Sequence, residues 1–338
     1  MKSIINRKNI TRLAVAVAIW AVIALLMATG IMSRSLQSLT IKICYYVMLT
    51  LSLDLIVGYL GDLSLGHAAF YAVGGYAGGA FALYTNLPFI PTFILALLIG
   101  GIVAAIVGFL ISKSILKLRG DYLAIVTLAF GEFIRSFVKI IRGLGGTKGL
   151  IGIESYSSRI VGFSLSYIVV LLVIIAIYNF THSRYGRAVT AIRDNAIAVE
   201  SVGIDIKKMK VLVFTISSFI AGMAGVLFGF YKTTLNPSDF TYNLSIEVLV
   251  MVVLGGMGSI RGSVIASVVI VALPELLRGA SDYRMLIYAV ALIAMMMFKS
   301  NPKLVKYTER LGAAVDNLKK SLTRKAVSDK PSSGGESK

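Results

Sequence analysis

The chain has 338 residues, 57% of them hydrophobic and only 15% charged, yet 34 Lys and Arg stand against 16 Asp and Glu, a formal net charge of +18. Soluble domains carry roughly 25% charged residues, so this chain has too little polar material to cover itself, and neither a disordered chain nor a soluble nucleic-acid binder fits. One cysteine, Cys44, and two histidines, His67 and His182, exclude a disulfide framework and a His/Cys metal centre.

A bilayer core about 30 Å thick takes about 20 apolar residues per helix, and runs of that length recur along the chain. Leu13 to Met32 carries no charge and follows Lys2, Arg7, Lys8 and Arg12. It exceeds the ~7–15-residue apolar region of a signal peptide, so an uncleaved first helix is expected. Thr40 to Leu60 holds only Lys42 and Asp54, and Leu63 to Tyr84 is rich in glycine and alanine. Pro88 to Ile111 and Ile160 to Phe180 are charge-free, whereas Tyr122 to Ile141 contains Glu132, Arg135 and Lys139. Val211 to Tyr231, Leu244 to Leu273 and Met285 to Phe298 complete the series. Leu244 to Leu273 is broken by Gly255-Gly256-Met257-Gly258-Ser259 and carries Arg261, so it reads as two shorter helices that enter and return. Open sheet edges are excluded in lipid, and the runs lack the short alternation of barrel strands. The expected fold class is therefore all-α: a polytopic membrane protein with about ten hydrophobic helical segments, some broken or short, and both termini cytoplasmic.

The position of the charges supplies the orientation. Residues 1–12 contribute +4, Lys113 to Asp121 +2, Thr181 to Lys210 +3 and residues 299–338 +6. Excess Lys and Arg marks the cytoplasmic side, and with two helices in Leu244 to Leu273 all four segments fall inside. The resulting organisation is a cytoplasmic N-terminus (1–12), a transmembrane domain (13–299) with a cytoplasmic loop (181–210), and a basic, partly disordered tail (300–338).

Within the membrane stretches, Gly58 to Phe70 and the pairs Gly74-Gly75 and Gly78-Gly79 are dense in glycine. Small residues allow close helix approach, and they also permit broken helices whose freed backbone faces a pathway. Gly58, Gly61, Ser64, Gly66 and His67 are the candidates for the second role, because a packing face seldom needs Asp, Ser and His as well. Ionisable groups at membrane depth cost on the order of 2.5–3.5 kcal/mol each, which adds Asp54, Glu132 and Glu247 to the candidate path. Glu132 and Arg135, at i and i+3, can pair with one another, whereas any partner of Asp54 must lie on another helix. Ser183 to Gly203 is an amphipathic, mixed-charge stretch with Gly203 placed to stop a helix. It suits either a surface of anionic lipid or a groove in another protein.

The chain has no Gly-Lys dipeptide, hence no phosphate-binding loop of the G-x-x-x-x-G-K-[ST] type, no G-x-S-x-G turn and no H-E-x-x-H. No catalytic, cofactor-binding or metal residues are assigned, and energy from ATP would have to come from a partner. Five ordered stretches resemble the LivM-type permease of branched-chain amino acid ABC importers: GYLGDLSLGHAAFYAVGGYAGG (Gly58 to Gly79), LRGDYLAIVTLAFGEFIR (Leu118 to Arg135), GGTKGL (Gly145 to Leu150), SRYGRAVTAIRDNAIAVESVGI (Ser183 to Ile204) and VLGGMGSIRGSVIAS (Val253 to Ser267). The resemblance implies half of a heterodimeric channel in a bacterial inner membrane, with a LivH-like permease, two cytoplasmic ABC ATPases that use ATP and Mg, and an extracytoplasmic substrate-binding protein. It also implies that Ser183 to Gly203 is the ATPase-coupling loop, with Arg184, Gly186, Arg187, Ala188, Ala191, Ile192, Arg193, Asp194 and Gly203 as its residues. Counting back from Gly203, the importer consensus E-A-A-x-x-x-G falls on Ile197-Ala198-Val199, so the glutamate is absent. Urea- and amide-type permeases share much of this pattern. A proton-coupled secondary carrier, with Asp54, Glu132 and Glu247 as a relay, is the reading from another class.

Overall fold

The computed structural model of the protein describes residues 7–115, 118, 120–277, 289–290 and 293. Met1–Leu276 form one unit and Leu277–Lys338 a second. Most of the expected Met285 to Phe298 span, and all of the basic tail, lie outside the described residues.

Among the described residues the first unit is all-α apart from one two-residue ladder. Its helices are α1 (Arg7–Ala28), α2 (Arg34–Asp54), α3 (His67–Tyr84), α4 (Phe89–Ile115), α5 (Asp121–Ile140), α6 (Arg159–His182), α7 (Arg184–Ser201), α8 (Ile206–Lys232), α9 (Tyr242–Gly255) and α10 (Ile260–Leu276). The apolar runs from Leu13 to Leu273 fall on helices, except that the run from Leu63 becomes helical only at His67, and the glycine-interrupted stretch is indeed two helices, α9 and α10. Among the described residues, five helical stretches are long and apolar enough to cross a membrane by themselves: Arg34–Leu60, Phe89–Ile115, Arg159–His182, Ile206–Lys232 and Pro237–Gly255. Of the first, 89% of the apolar window is buried, against 33% for those of α4 and α6. The helix starting at Arg34 is thus the axis of the bundle, and α4 and α6 are part of its rim. Ile94, Leu98, Ile102 and Ile106 of α4 and Ile168, Leu172 and Ile175 of α6 are exposed. A belt of this kind suits lipid rather than water.

Lipid is as apolar as leucine, so helices in it associate through close packing rather than through expulsion of water from their faces. Glycines supply that closeness where α3, α4 and α8 meet. A Cβ on Gly222 of α8 would stand 2.5 Å from Ala104 Cβ and 2.7 Å from the Gly100 carbonyl, both on α4. One on Gly74 of α3 would run into the backbone of Gly222, and one on Gly225 into the Tyr71 carbonyl. The glycine pairs of α3 therefore serve packing, as their four-residue spacing allows. Helix α1 stands outside this core and is tied to α6 by hydrogen bonds from Tyr167 to the Ala16 carbonyl (2.9 Å) and from the Trp20 indole to Ser164 (3.2 Å).

Helices α6 and α8 are single rods about 36 and 40 Å long. Helix α7 joins them at one end. At the other end β1 (Leu150–Ile151), before α6, pairs antiparallel with β2 (Thr234–Leu235), after α8. That junction is held further by Tyr76, which donates to the Leu235 carbonyl at 2.7 Å, and by a Lys232–Asp239 ion pair at 2.6 Å.

The packing makes a direct prediction. Gly222→Val should destabilise the protein by about 1–3 kcal/mol through overpacking, lowering its thermal unfolding temperature in detergent. Gly143→Ala, at a position with open space around it, should leave that temperature unchanged.

Candidate functional site

The axial helix does not run straight through the bundle. Beyond Asp54 it widens into a π-helical turn, Leu55–Leu60, and stops at Gly61, whose φ of +82° strongly favours glycine there. Residues 61–66 are non-helical and α3 begins at His67. A π turn inside a membrane helix is a recurrent mark of functional backbone, and it releases polar groups that must be satisfied within the protein. The Leu65 N–H donates to Thr127 Oγ1 of α5 at 3.0 Å, and the Ala68 N–H donates to Ser245 Oγ of α9 at 3.0 Å. Gly66 lies so close to the Thr127 carbonyl that a Cβ would collide with it.

Beside the break is a set of fully buried polar side chains. Ser52 Oγ lies 2.7 Å from His67 Nε2 and also donates to the Leu49 carbonyl at 2.7 Å. The single hydroxyl proton of Ser52 is thereby used, so Nε2 of His67 carries the proton and donates, leaving Nδ1 as an acceptor. Ser217 of α8 donates to the Ser52 carbonyl at 2.5 Å. His67 Nδ1 and Ser64 Oγ, both buried, have no hydrogen-bond partner among the described residues.

The expected acids have separate surroundings. Asp54 Oδ1 accepts the Gly258 N–H at 2.9 Å and Oδ2 accepts the Ser263 hydroxyl at 3.2 Å, so its partners lie on the α9–α10 turn and on α10, another helix as expected. Glu132 pairs with Arg135 at 2.7 Å, the anticipated i, i+3 contact. Glu247 accepts from Tyr46 at 3.3 Å. Tyr46–Glu247 and Thr50–Met251 keep the same register along α2 and α9, so those two helices run in the same direction. Asp54, Gly61, Ser64, Gly66 and His67 thus share one region, whereas Glu132 and Glu247 each sit with other partners.

Helix α7 is bent. Asn195 leaves helical geometry (φ −156°, ψ 96°), and its Oδ1 accepts the Ala198 N–H at 3.1 Å, restarting the helix before it ends at Ser201, ahead of Gly203. Ser183 caps the start by accepting the Gly186 N–H at 3.2 Å. Gly186, Val189, Ile192 and Val199 face inward, while Tyr185, Ile197 and Val202 are 50, 79 and 79% exposed. Ile192, expected to fill a partner's groove, is therefore packed within this chain. Arg184 and Arg187 are exposed, Ala188 and Ala191 half-buried. Arg193 is also exposed, with 37% of its side chain accessible, but its Nη1 reaches back to donate to the Gly58 carbonyl at 2.8 Å. Close by, Lys210 of α8 pairs with Asp62 at 2.6 Å, each side chain only 12% exposed. Asp205 caps α8 by accepting the Lys208 N–H at 3.1 Å, which holds its carboxyl below the ordinary aspartate range.

Sequence reasoning missed Gly258, Ser263, Asp62, Lys210, Ser52, Ser217, Ser245 and Thr127. For Asp62 and Lys210 a signal existed, since each is a charge at the margin of an apolar run. The serines and Thr127 are ordinary helix-interior residues whose role depends on long-range contact.

The glycine-broken axial helix, with a short amphipathic helix set between two long apolar ones, belongs with a family described as the branched-chain amino acid transport system / permease component, whose model matches residues 35–299. The chain belongs to this family. It is 35% identical over 298 residues to the high-affinity branched-chain amino acid transport system permease protein LivM of Escherichia coli, covering 79% of this chain and 69% of that one, and the LivM of Salmonella typhimurium gives the same figures. The corresponding permease protein LivH of Escherichia coli is 25% identical over 245 residues, 67% of this chain and 79% of its own. No solved structure matches. As a member of this permease family with several helices able to span a bilayer, the chain is a multi-pass membrane protein.

The buried Asp62–Lys210 pair is open to measurement. Lys210→Ala leaves a carboxylate uncompensated and should cost about 3 kcal/mol, seen as a lower unfolding temperature in detergent. Combining it with Asp62→Asn should restore most of the loss.

Proposed function

We propose that the chain is the LivM-type permease subunit of an ATP-driven importer, moving branched-chain or related amino acids across a bacterial cytoplasmic membrane. The observation that carries this reading is the 35% identity to two proteins named LivM across most of both chains. The chain would pair with a LivH-like permease, two cytoplasmic ABC ATPases and an extracytoplasmic substrate-binding protein. Both termini and the loop 181–210 would be cytoplasmic, in keeping with the charge distribution, and residues 13–299 would form the permease domain. About ten hydrophobic segments would then cross or enter the bilayer. Hydrolysis of ATP belongs to the partner subunits, and this chain would carry no cofactor of its own.

In this reading α7 is the coupling helix. Nucleotide binding draws the ATPases together, and α7 passes the motion to helices around a path between the two permeases. Arg184, Arg187 and Asp194, with Ala188 and Ala191 beside them, present the charged and small residues suited to an ATPase groove. Exposed Tyr185 and Ile197 add apolar area to the same contact. Asp54, Gly61, Ser64, Gly66 and His67 form the best candidate for irregular backbone near the path, and Glu132 and Glu247 are further ionisable candidates on α5 and α9.

Reconstitution in vesicles tests the assignment. With all partners present, leucine uptake should require ATP, persist when the proton gradient is collapsed, and exceed uptake of urea. The double variant Arg187→Glu, Ala191→Asp should lose most co-purifying ATPase and most uptake. Intact uptake with bound ATPases would remove the coupling role from α7.

A further inference from the structure

Arg193 belongs to the charged set expected to meet a partner from α7, but one edge of its half-exposed guanidinium, Nη1, reaches back into the chain. While Nη1 donates to the Gly58 carbonyl, the aliphatic stem covers Gly61, where a Cβ would stand 2.7 Å from Arg193 Cγ. The same Nη1 lies against Gly258, 3.2 Å from where a Cβ there would be. Gly258 in turn donates its N–H to Asp54. One side chain of α7 thus touches the end of the axial helix and the α9–α10 turn together.

The chemistry suits that position. Carbonyls in the last turn of a helix lack a donor from the chain ahead, and a cation is favoured at this end by the helix dipole. The Gly58 carbonyl is such a group. Arginine can serve it while keeping its orientation, because its other donors, Nε and Nη2, both reach Asp194 Oδ1 at 3.2 Å. A lysine offers a point charge without that fork. The glycines at 58, 61 and 258 give the contact its space. On Gly58 a Cβ would collide with Asp54 Oδ1 and the Gly258 nitrogen.

We infer that Arg193 is a positioning residue that transmits displacement of α7 to the broken end of the axial helix and to the α9–α10 turn. This rests on the reading of α7 as the coupling helix. When α7 is drawn outward, the Gly58 carbonyl loses its donor and the stem lifts from Gly61, so residues 61–66 change course; when α7 returns, the cap forms again. Such a contact is a physically continuous link between docking and pathway.

The test uses the complete importer in vesicles, with ATP hydrolysis and uptake measured on the same preparation. Arg193→Gln should keep its ATPases and continue to hydrolyse ATP. Substrate carried per ATP should fall about tenfold, the scale of one charge-assisted hydrogen bond. Arg193→Lys should give an intermediate ratio, and it carries the test should the glutamine variant not fold. A second readout uses Ser64→Cys in a Cys44→Ser background: its ATP-dependent change in labelling by a membrane-permeant maleimide should disappear in Arg193→Gln. An unchanged transport ratio in both variants, or loss of the ATPases from Arg193→Gln, would overturn the inference. Failure of the unmodified chain to bind ATPases or to transport with ATP would instead overturn the function on which it rests.

Discussion

In a bilayer core no water is at hand for a backbone group that leaves its helix, so every amide released at Leu60 needs a partner from the protein itself. The rest of this structure depends on that constraint. The axial helix widens, stops at Gly61 and resumes as α3 at His67, and its neighbours are arranged to receive what the break releases. Thr127 of α5 takes one amide, Ser245 of α9 another, and Arg193 of α7 supplies a donor for the Gly58 carbonyl. Asp54, at the head of the π turn, receives the N–H of the α9–α10 turn. Two interruptions in different parts of the chain are thereby joined, each satisfying part of the other.

Glycine plays two unlike parts around that break. In α3, α4 and α8 it brings backbones together, so that the three helices pack tightly without large side chains between them. In residues 58–66 and at Gly258 it clears space for a carboxylate, a guanidinium and a turn. The tight core gives a fixed frame, and the polar break lies against it, so the irregular backbone of residues 61–66 is supported on one side by closely packed helices.

The sequence is informative about elements and less so about contacts. Helix positions were legible because lipid demands long apolar runs, and the splitting of Leu244 to Leu273 was legible because a cluster of glycines with an arginine cannot continue a span. The pairing of Glu132 with Arg135 followed from helical spacing alone. Arg193 shows the limit. Helical periodicity places it among charged neighbours, and only the approach of Gly58, 135 positions away in the chain, gives its Nη1 an internal partner. Ile192 is similar, an apolar residue whose burial partner is internal. The small serines that fill the polar centre, Ser52, Ser217 and Ser245, carry no local signal, since serine in a membrane helix can return its hydroxyl to its own backbone.

The small ladder at β1 and β2 has a mechanical meaning. It joins the chain just before α6 to the chain just after α8, at the end of both rods farthest from α7, and Tyr76 and the Lys232–Asp239 pair fasten it to the frame. A rod about 36 Å long, hinged at one tip, turns a sideways push at the other into a few degrees of tilt. Four residues of strand thus tie α6 and α8 to one another at that tip, so under the proposed role of α7 a push on it would reach both rods as a shared tilt about the ladder and not as separate slides.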